Sequence, residues 1–187
     1  TVVRVLNTNT NKIIEEHVRV EDGHAMVHGD EVIQGVPGTG SRIDMYFEDP
    51  AGSKTGKLFP TGQKKEVFDV PEYGPAEVTV LDCSNPMVFI KASDLGIKGS
   101  ELTELNQNKD VMEHIERIRG MAAVKCGFVE NWEDARTKST SAPKVSIVSA
   151  PQDYINMDGN EVKADTMDLC CRAISVGALH KAYPMTV

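Results

Sequence analysis

The sequence is poor in cysteine, in aromatic residues and in positive charge. Its 187 residues include only four cysteines, one tryptophan and 5% aromatic residues. The cysteines form no CxxC pair, and no histidine lies at zinc-finger spacing from them, so neither a metal site nor a disulfide framework is expected. Because unpaired cysteines are typical of a reducing compartment, we expect a cytoplasmic protein.

Basic side chains are outnumbered, with 20 Lys and Arg against 28 Asp and Glu and a formal net charge of -8. This balance argues against a nucleic acid or an anionic membrane surface as partner. No window of the sequence approaches the roughly 20 apolar residues that a membrane-spanning helix needs. An acidic ligand would therefore have to be bound by a local cluster of basic and hydrogen-bonding groups.

What the chain does contain is an ordinary globular share of apolar residues, 40%, which predicts a packed core. Apolar and polar residues alternate over short stretches bounded by Gly, Pro, Asn and Asp, the pattern of half-buried strands. The predicted strands with the clearest pattern cover Arg42–Glu48, Glu77–Leu81, Met87–Lys91, Lys144–Ser149 and Asp168–Ser175. They indicate a largely antiparallel sheet.

A helical period replaces this alternation after Gly99. Between Asn108 and Cys126 apolar residues recur three or four positions apart, with Asn108 placed to cap the helix and Gly127 placed to end it. The segment Glu130–Lys138 predicts a second, shorter helix. Together the elements predict an α+β fold in which a long helix lies on a mostly antiparallel sheet.

The ends of the chain bear on its domain organisation. It opens at Thr1 without an initiator Met and closes in an apolar run at Met185–Val187. We therefore expect residues 1–187 to be a single lobe of a longer protein, truncated at both ends.

The segment Asp49–Gly62, DPAGSKTGKLFPTG, is the most informative loop. Its glycines allow the backbone to curl, and its lysines and hydroxyls, on Ser53, Lys54, Thr55 and Lys57, could bind a carboxylate or phosphate. The spacing is not that of a nucleotide-binding P-loop, which has four residues between its glycines and a Ser or Thr after its Lys. The alternative is a surface loop whose lysines are merely solvated.

Two further positions could contribute to such a site. Asn85 precedes Pro86, which favours an extended backbone and could direct the side-chain amide away from a strand end; the alternative is a local Asx turn. His180 lies where a predicted strand ends and a helix could begin, a place where backbone N–H groups can bind an anion. The sequence contains no GxSxG segment, so hydrolase chemistry is not indicated.

These segments in order resemble the PrpF family, which contains 2-methylaconitate and 3-methylitaconate isomerases and relatives acting on oxalomesaconate and aconitate. The resemblance covers essentially the whole chain and is most specific in the GSKTGKLFPTG run, residues 52–62. It is supported by VRVLNTNTNKII near the start, by Ser84-Asn85-Pro86, and by Arg172, Ser175, Gly177, His180 and Ala182. Within that family, the chain resembles a methylitaconate delta-isomerase in particular.

The resemblance implies a fold similar to diaminopimelate epimerase, with two pseudo-symmetric halves, each a sheet or barrel wrapped around a helix, and an active site between them. This chain resembles the second half. It lacks the first-half segment with the Asn-Cys-Gly-Asn signature and the lysine that members are thought to use as base. Met87 stands where the epimerases have His after Asn-Pro, and no cysteine lies near His180, so a paired-thiol epimerase is the weaker interpretation.

The implied reaction moves a carbon–carbon double bond in a small unsaturated di- or tricarboxylic acid, with no cofactor and no metal. The expected carboxylate-binding residues are Ser53, Lys54, Thr55, Lys57, Asn85 and His180, while the catalytic base is expected on the first half, which would be an obligatory partner. The sequence does not fix the oligomeric state, and a homo-oligomer is one of the alternatives. The alternative function is a non-catalytic module that binds a carboxylate or a protein partner through the same surface.

Overall fold

The computed structural model describes residues 1–33 and 36–186. Val187, at the end of the predicted lobe, lies outside them. The main strands and helices are β1 (Val2–Asn7), β2 (Lys12–Val18), β3 (Val20–Glu21), β4 (His24–Ala25), β5 (Ile43–Phe47), β6 (Glu66–Val70), β7 (Gly74–Cys83), β8 (Asn85–Lys91), α1 (Lys109–Lys125), α2 (Ala135–Lys138), β9 (Lys144–Ser149), β10 (Tyr154–Ile155), β11 (Glu161–Val162), β12 (Cys170–Ser175) and β13 (Ala178–Leu179).

The larger sheet has six strands in the order β13-β12-β9-β8-β7-β6. Its neighbours pair antiparallel, except that β8 and β9 run parallel and are joined through α1. A parallel pair requires a long crossover, which the helix supplies. The predicted α+β class with a mostly antiparallel sheet and a helix packed against it is confirmed.

Helix α1 begins and ends where the sequence predicts. The Asn108 side chain accepts a hydrogen bond from Val111 N at 3.3 Å, Cys126 follows the last helical residue, and Gly127 has a φ of 73°. The helix places Val111, Ile115, Ile118 and Ala122 in the core, against sheet residues that alternate in β7 and β8.

Two boundaries differ from the sequence prediction. The segment Glu130–Lys138 forms a 3-10 turn at Trp132–Asp134 and then the short helix α2. Strand β7 continues to Cys83 and β8 begins at Asn85. Asp82 therefore belongs to a strand and not to the turn expected between the predicted strands Glu77–Leu81 and Met87–Lys91. Considered locally, the polarity of Asp82 indicates a turn. In the structure its side chain instead occupies an inward-facing position of the strand.

The smaller sheet has three antiparallel strands in the order β1-β2-β5. Its register places Val5 opposite Ile14 and Ile14 opposite Phe47, which creates an apolar face. Much of that face is open: Val3 is 40% exposed, Val5 38% and Ile43 49%, while Ile14 is buried. This sheet therefore has little packed core of its own. Within the described part of the chain, no helix has the length and hydropathy to cross a bilayer.

Candidate functional site

A cavity of about 200 Å³ lies where the two sheets meet. We call it the loop pocket. Its lining includes the β1–β2 turn, the end of β5, the start of the segment Asp49–Gly62, which we call the Gly-rich loop, the β7–β8 turn and the last described residue. The lining residues are Asn7, Asn9, Thr10, Lys12, Ile14, Phe47, Glu48, Pro50, Ser53, Lys54, Ser84, Asn85 and Thr186. Three predicted site residues, Ser53, Lys54 and Asn85, are thus brought together.

The Gly-rich loop is fastened to the sheet by the carboxylate of Asp82. Ser53 Oγ donates to Asp82 Oδ1 at 2.8 Å, and Asp82 Oδ2 accepts from Lys54 N at 2.8 Å, from Thr55 N at 2.7 Å and from Thr55 Oγ1 at 2.8 Å. The hydroxyl hydrogen of Ser53 is therefore directed at Asp82, while that of Thr55 has two acceptors, Asp82 Oδ2 and the Lys57 carbonyl oxygen at 3.0 Å. These hydrogen bonds hold the backbone of residues 53–55 against β7.

Asp82 is ionised in this setting. Burial on its own would raise the pKa of the carboxyl, but the hydrogen bonds from the backbone and side chains of residues 53–55 outweigh it and hold the pKa below its usual value. A carboxylate that accepts several donors keeps its charge even when it is fully buried.

The lysines of the loop have uncommitted charge. Lys54 and Lys57 are exposed, and within residues 1–33 and 36–186 neither ammonium group takes part in a hydrogen bond or ion pair. The Lys54 side chain lines the loop pocket, whereas Lys57 and Thr55 are outside its lining. Lys54 is consequently the group best placed to neutralise a bound carboxylate.

Asn85 is the first residue of β8, and its extended backbone agrees with the prediction made from Pro86. Its amide Nδ2 donates to Thr186 Oγ1 at 2.6 Å, across 101 residues of sequence. This contact differs from the local Asx turn that was the alternative reading, because the amide reaches a distant segment at the pocket.

His180 lies elsewhere. It follows β13 and lines a separate cavity of about 270 Å³ with Lys181 and Tyr183 among other residues. Its Nδ1 is within 2.5 Å of the carbonyl oxygen of Ala182. In the same cavity burial raises the pKa of Tyr183 to about 12, which keeps the phenol protonated. The structure therefore does not place His180 with Lys54 and Asn85.

The sequence reasoning missed Asp82, which fastens the loop, and two asparagines that line the pocket. Asp82 continues the inward-facing alternation of Ala76, Val78 and Val80, so a carboxylate at the end of a period-two apolar run was a usable signal. Asn7 and Asn9 form an Asx turn, with Asn9 N donating to Asn7 Oδ1 at 3.0 Å, and they line the opposite wall. Nothing local indicated that this turn reaches the Gly-rich loop.

No group of three or more His, Cys, Asp or Glu side chains in the described ranges is arranged to hold a metal ion. The absence of a cofactor and of a metal stays a prediction. The polar groups at the loop pocket include the uncommitted Lys54 ammonium, amides and hydroxyls, together with Lys12 and Glu48, which are ion-paired to Asp49 and Arg4. The unpaired cation and the hydrogen-bonding groups suit an anionic organic ligand.

Comparisons with known proteins agree with this chemistry. The family model described as PrpF protein matches residues 1–187. The 3-methylitaconate isomerase of Eubacterium barkeri is 38% identical over 188 residues, covering 100% of this chain and 49% of that protein. The 2-methyl-aconitate isomerase of Shewanella oneidensis is 33% identical over 184 residues, covering 96% of this chain and 46% of that protein.

A crystal structure of methylitaconate-delta-isomerase superposes with a TM-score of 0.88 at 38% identity, covering 100% of this chain and 48% of that one. The chain thus spans about half the length of the curated relatives it matches. The match extends over both sheets and helix α1, so the arrangement around the loop pocket is that of a known fold.

Proposed function

Because this chain belongs to the PrpF family, we propose that it is the carboxylate-binding part of an isomerase that shifts a carbon–carbon double bond in a small unsaturated di- or tricarboxylic acid. Candidate substrates are acids of the 3-methylitaconate and 2-methylaconitate type. The observation that carries the proposal is that Asn85 and Lys54, whose ammonium has no partner among the described residues, line the same loop pocket.

The reaction needs a base and a site that stabilises negative charge. It involves no change of oxidation state. A base removes an allylic proton, and the electron pair of the broken C–H bond enters a conjugated dienolate whose charge spreads onto a carboxylate. Reprotonation at the other end of the three-carbon unit completes the double-bond shift. The substrate's carboxylates and the charge that develops on one of them would be stabilised by Lys54 and by amide and backbone donors.

Residue roles within this proposal differ. Lys54 and Asn85 would contact the substrate directly, and Ser53 lines the same pocket while its hydroxyl hydrogen is donated to Asp82. Lys57 and Thr55 lie outside the pocket lining and would contribute to carboxylate binding from the outer side of the loop. For His180 to take part, a substrate or a neighbouring segment would have to extend to the second cavity.

We also propose that the catalytic base comes from the half of the protein that this chain does not span. Relatives are about twice as long, and the open apolar face of the smaller sheet, around Val3, Val5 and Ile43, offers a surface for that half to cover. We place the reaction in the cytoplasm because all four cysteines are free thiols.

The experiment is a comparison of Lys54→Ala with Lys64→Ala, a lysine beyond the loop pocket, in a full-length protein that carries this chain. Turnover of 3-methylitaconate and 2-methylaconitate is followed by proton NMR in deuterium oxide, which also reports exchange of the abstracted proton. We expect Lys54→Ala to raise KM or lower kcat by about tenfold or more, the effect of removing one charge-assisted contact, while Lys64→Ala resembles wild type.

Each outcome is decisive. Turnover that is the same in Lys54→Ala and wild type would remove Lys54 from the binding site. If wild type binds mesaconate in calorimetry but turns over neither acid, a non-catalytic binding module replaces the isomerase. If the 187-residue chain gains activity only when the other half is added, the proposal that the base lies on that half is supported.

A further inference from the structure

The carboxylate of Asp82 has a place in the fold that the proposed chemistry does not use directly. It is 0% exposed, and among the described residues it forms no ion pair with a Lys, Arg or His side chain. A buried charge without a counter-ion is unfavourable unless hydrogen bonds replace its hydration. All four of these bonds come from residues 53–55, so the burial of this charge depends on the conformation of that loop.

The main chain of the same residue holds the loop at both ends. Gly52 N donates to Asp82 O at 2.8 Å, and Asp82 N donates to Leu58 O at 2.8 Å. Inside the loop Gly56 N donates to Gly52 O at 3.0 Å. The segment from Gly52 to Leu58 therefore closes around one strand residue, which fixes the backbone from which the Lys54 side chain extends.

Asp82 also lies close to Asn85 in the larger sheet. It pairs with Pro86 in the β7–β8 register, and its neighbour Cys83 pairs with Asn85. Lys54 N is thus hydrogen-bonded to Asp82, and Asn85 directly precedes the residue that faces Asp82 across the β7–β8 hairpin. A change at Asp82 would alter the spacing between the two side chains that the loop pocket brings together.

We propose that Asp82 is the positioning residue of the loop pocket: it holds the Gly-rich loop against β7, so that Lys54 is aimed at a substrate carboxylate, and it orients the hydroxyls of Ser53 and Thr55. This inference rests on the proposed function. Because its hydroxyl hydrogen points to Asp82, the Ser53 oxygen acts toward other partners as an acceptor, whereas the Thr55 hydroxyl is shared within the loop between Asp82 and the Lys57 carbonyl oxygen. The carboxylate specificity of the pocket then comes from Lys54 and from N–H donors.

A carboxylate is better suited to this task than other side chains of its size. Its Oδ2 accepts three donors at 2.7–2.8 Å and its Oδ1 accepts the fourth. Leucine would remove the acceptor of Ser53 Oγ and of the Lys54 and Thr55 backbone N–H groups, and would leave the Thr55 hydroxyl with only the Lys57 carbonyl oxygen. Asparagine could still accept three donors on its amide oxygen but would present an NH₂ group to Ser53, which reverses the direction of that bond.

The test uses Asp82→Leu, Asp82→Asn and Thr55→Val in a full-length protein that carries this chain, with KM and kcat measured separately for 3-methylitaconate. Because Asp82 would act through a binding group, we expect KM to rise about tenfold in Asp82→Leu, less in Asp82→Asn and about threefold in Thr55→Val, with smaller changes in kcat. Thr55→Val should have no further effect when combined with Asp82→Leu.

Glu101→Gln is the matched control. Glu101 is also a carboxylate that accepts backbone N–H groups, from Lys98 at 2.8 Å and Gly99 at 2.7 Å, but it is not part of the loop pocket. Its substitution should lower the unfolding midpoint without raising KM. A purely structural role for Asp82 predicts the same behaviour in both carboxylates.

The outcomes separate this inference from the proposed function. If wild type is inactive toward both acids, the proposed function fails. If wild type is active and Asp82→Leu keeps KM within twofold, Asp82 is not a positioning residue although the function stands. If Asp82→Leu does not fold, Thr55→Val and its conservative partner Thr55→Ser decide: an unchanged KM in Thr55→Val overturns the inference, and a rise that Thr55→Ser reverses supports it.

Discussion

The two sheets of this chain differ sharply in how much they bury, although both contribute to the same pocket. In the six-stranded sheet, Val80, Val88 and Ile147 are 0–1% exposed and pack with helix α1. In the three-stranded sheet, Val2 is 56% and Leu6 53% exposed, and only Ile14 counts as buried. Hydrophobic stabilisation scales with the apolar area removed from water, so it is concentrated in the larger sheet.

This difference assigns different tasks to the two walls of the loop pocket. Lys54 and Asn85 are attached to the larger sheet, through Asp82 and through β8, so their positions are held by the core. The turn with Asn7 and Asn9 belongs to the smaller sheet, whose open face leaves it weakly supported within this chain. We expect the first wall to be rigid and the second to depend on what covers its sheet.

The largest effect should come from truncating a side chain in the core between the larger sheet and helix α1. Ile118→Ala removes a 0% exposed side chain from helix α1 and should lower the free energy of unfolding by about 3 kcal/mol, because it leaves a cavity. Val3→Ala, at a 40% exposed position of β1, should cost about 0.5 kcal/mol or less. Urea denaturation measures both, and equal losses would refute the contrast between the sheets.

A smaller effect should distinguish the fastened loop from an ordinary turn. A Cβ on Gly52 would lie 2.6 Å from Gly56 C and from Lys57 N, at a φ of 65°, whereas a Cβ on Gly56, at a φ of 78°, meets nothing within 4 Å. Gly56→Ala should therefore cost about 1 kcal/mol of unfolding free energy from the left-handed backbone alone, and Gly52→Ala about 2 kcal/mol or more.

Calorimetry with mesaconate gives the functional side of the same pair, since only Gly52→Ala should displace Lys54 and weaken binding. Comparable affinities for the two variants would mean that the loop does not position the lysine.

The smallest effect concerns pH. His114 on α1 stacks on Tyr73 at 4.2 Å between ring centroids, and its buried Nε2 has no hydrogen-bond partner in the described structure. Burial lowers the pKa of His114 below its ordinary 6.5, with nearby Asp110 opposing the shift and Arg117 adding to it. At a pH between the lowered pKa of the folded state and 6.5, His114 therefore binds a proton in the unfolded chain but not in the folded one.

Stability should thus be steady above about pH 6.5 and decline as the pH falls from 6.5 toward the lowered pKa of the folded state. His114→Phe, which keeps a ring against Tyr73, should reduce this decline in urea titrations between pH 7.5 and 5.5. His28→Phe, at an exposed position, is the control and should retain it. A decline of the same size in His114→Phe would assign the acid sensitivity to other groups.

Prediction from sequence succeeded where a signal is local. The helical period and the capping residue Asn108 placed α1 within one residue of each observed end, and strand β9 was predicted with its observed bounds. It failed at Asp82, because a carboxylate beside Cys83 and Ser84 looks like turn chemistry until its four donors are known. Those donors lie 27–29 residues earlier in the chain.

The candidate site divides in the same way. Composition and glycine spacing singled out the loop of residues 52–57 and its lysines, and Pro86 indicated the extended backbone of Asn85. Which of these side chains share a cavity was beyond local patterns: Lys54 and Asn85 line the loop pocket, and His180 lines another.

The amino-acid sequence by itself therefore determined the α+β class, the long helix, the alternation of the strands and a glycine-rich loop with anion-binding groups. Local periodicity and backbone preferences are sufficient for these features because they depend on neighbours a few residues apart. The tertiary structure alone decided that Asp82 fastens that loop and that Asn85 meets Thr186 across 101 residues. Such contacts follow from how buried polar groups across the whole fold find partners, and no short window of sequence contains that information.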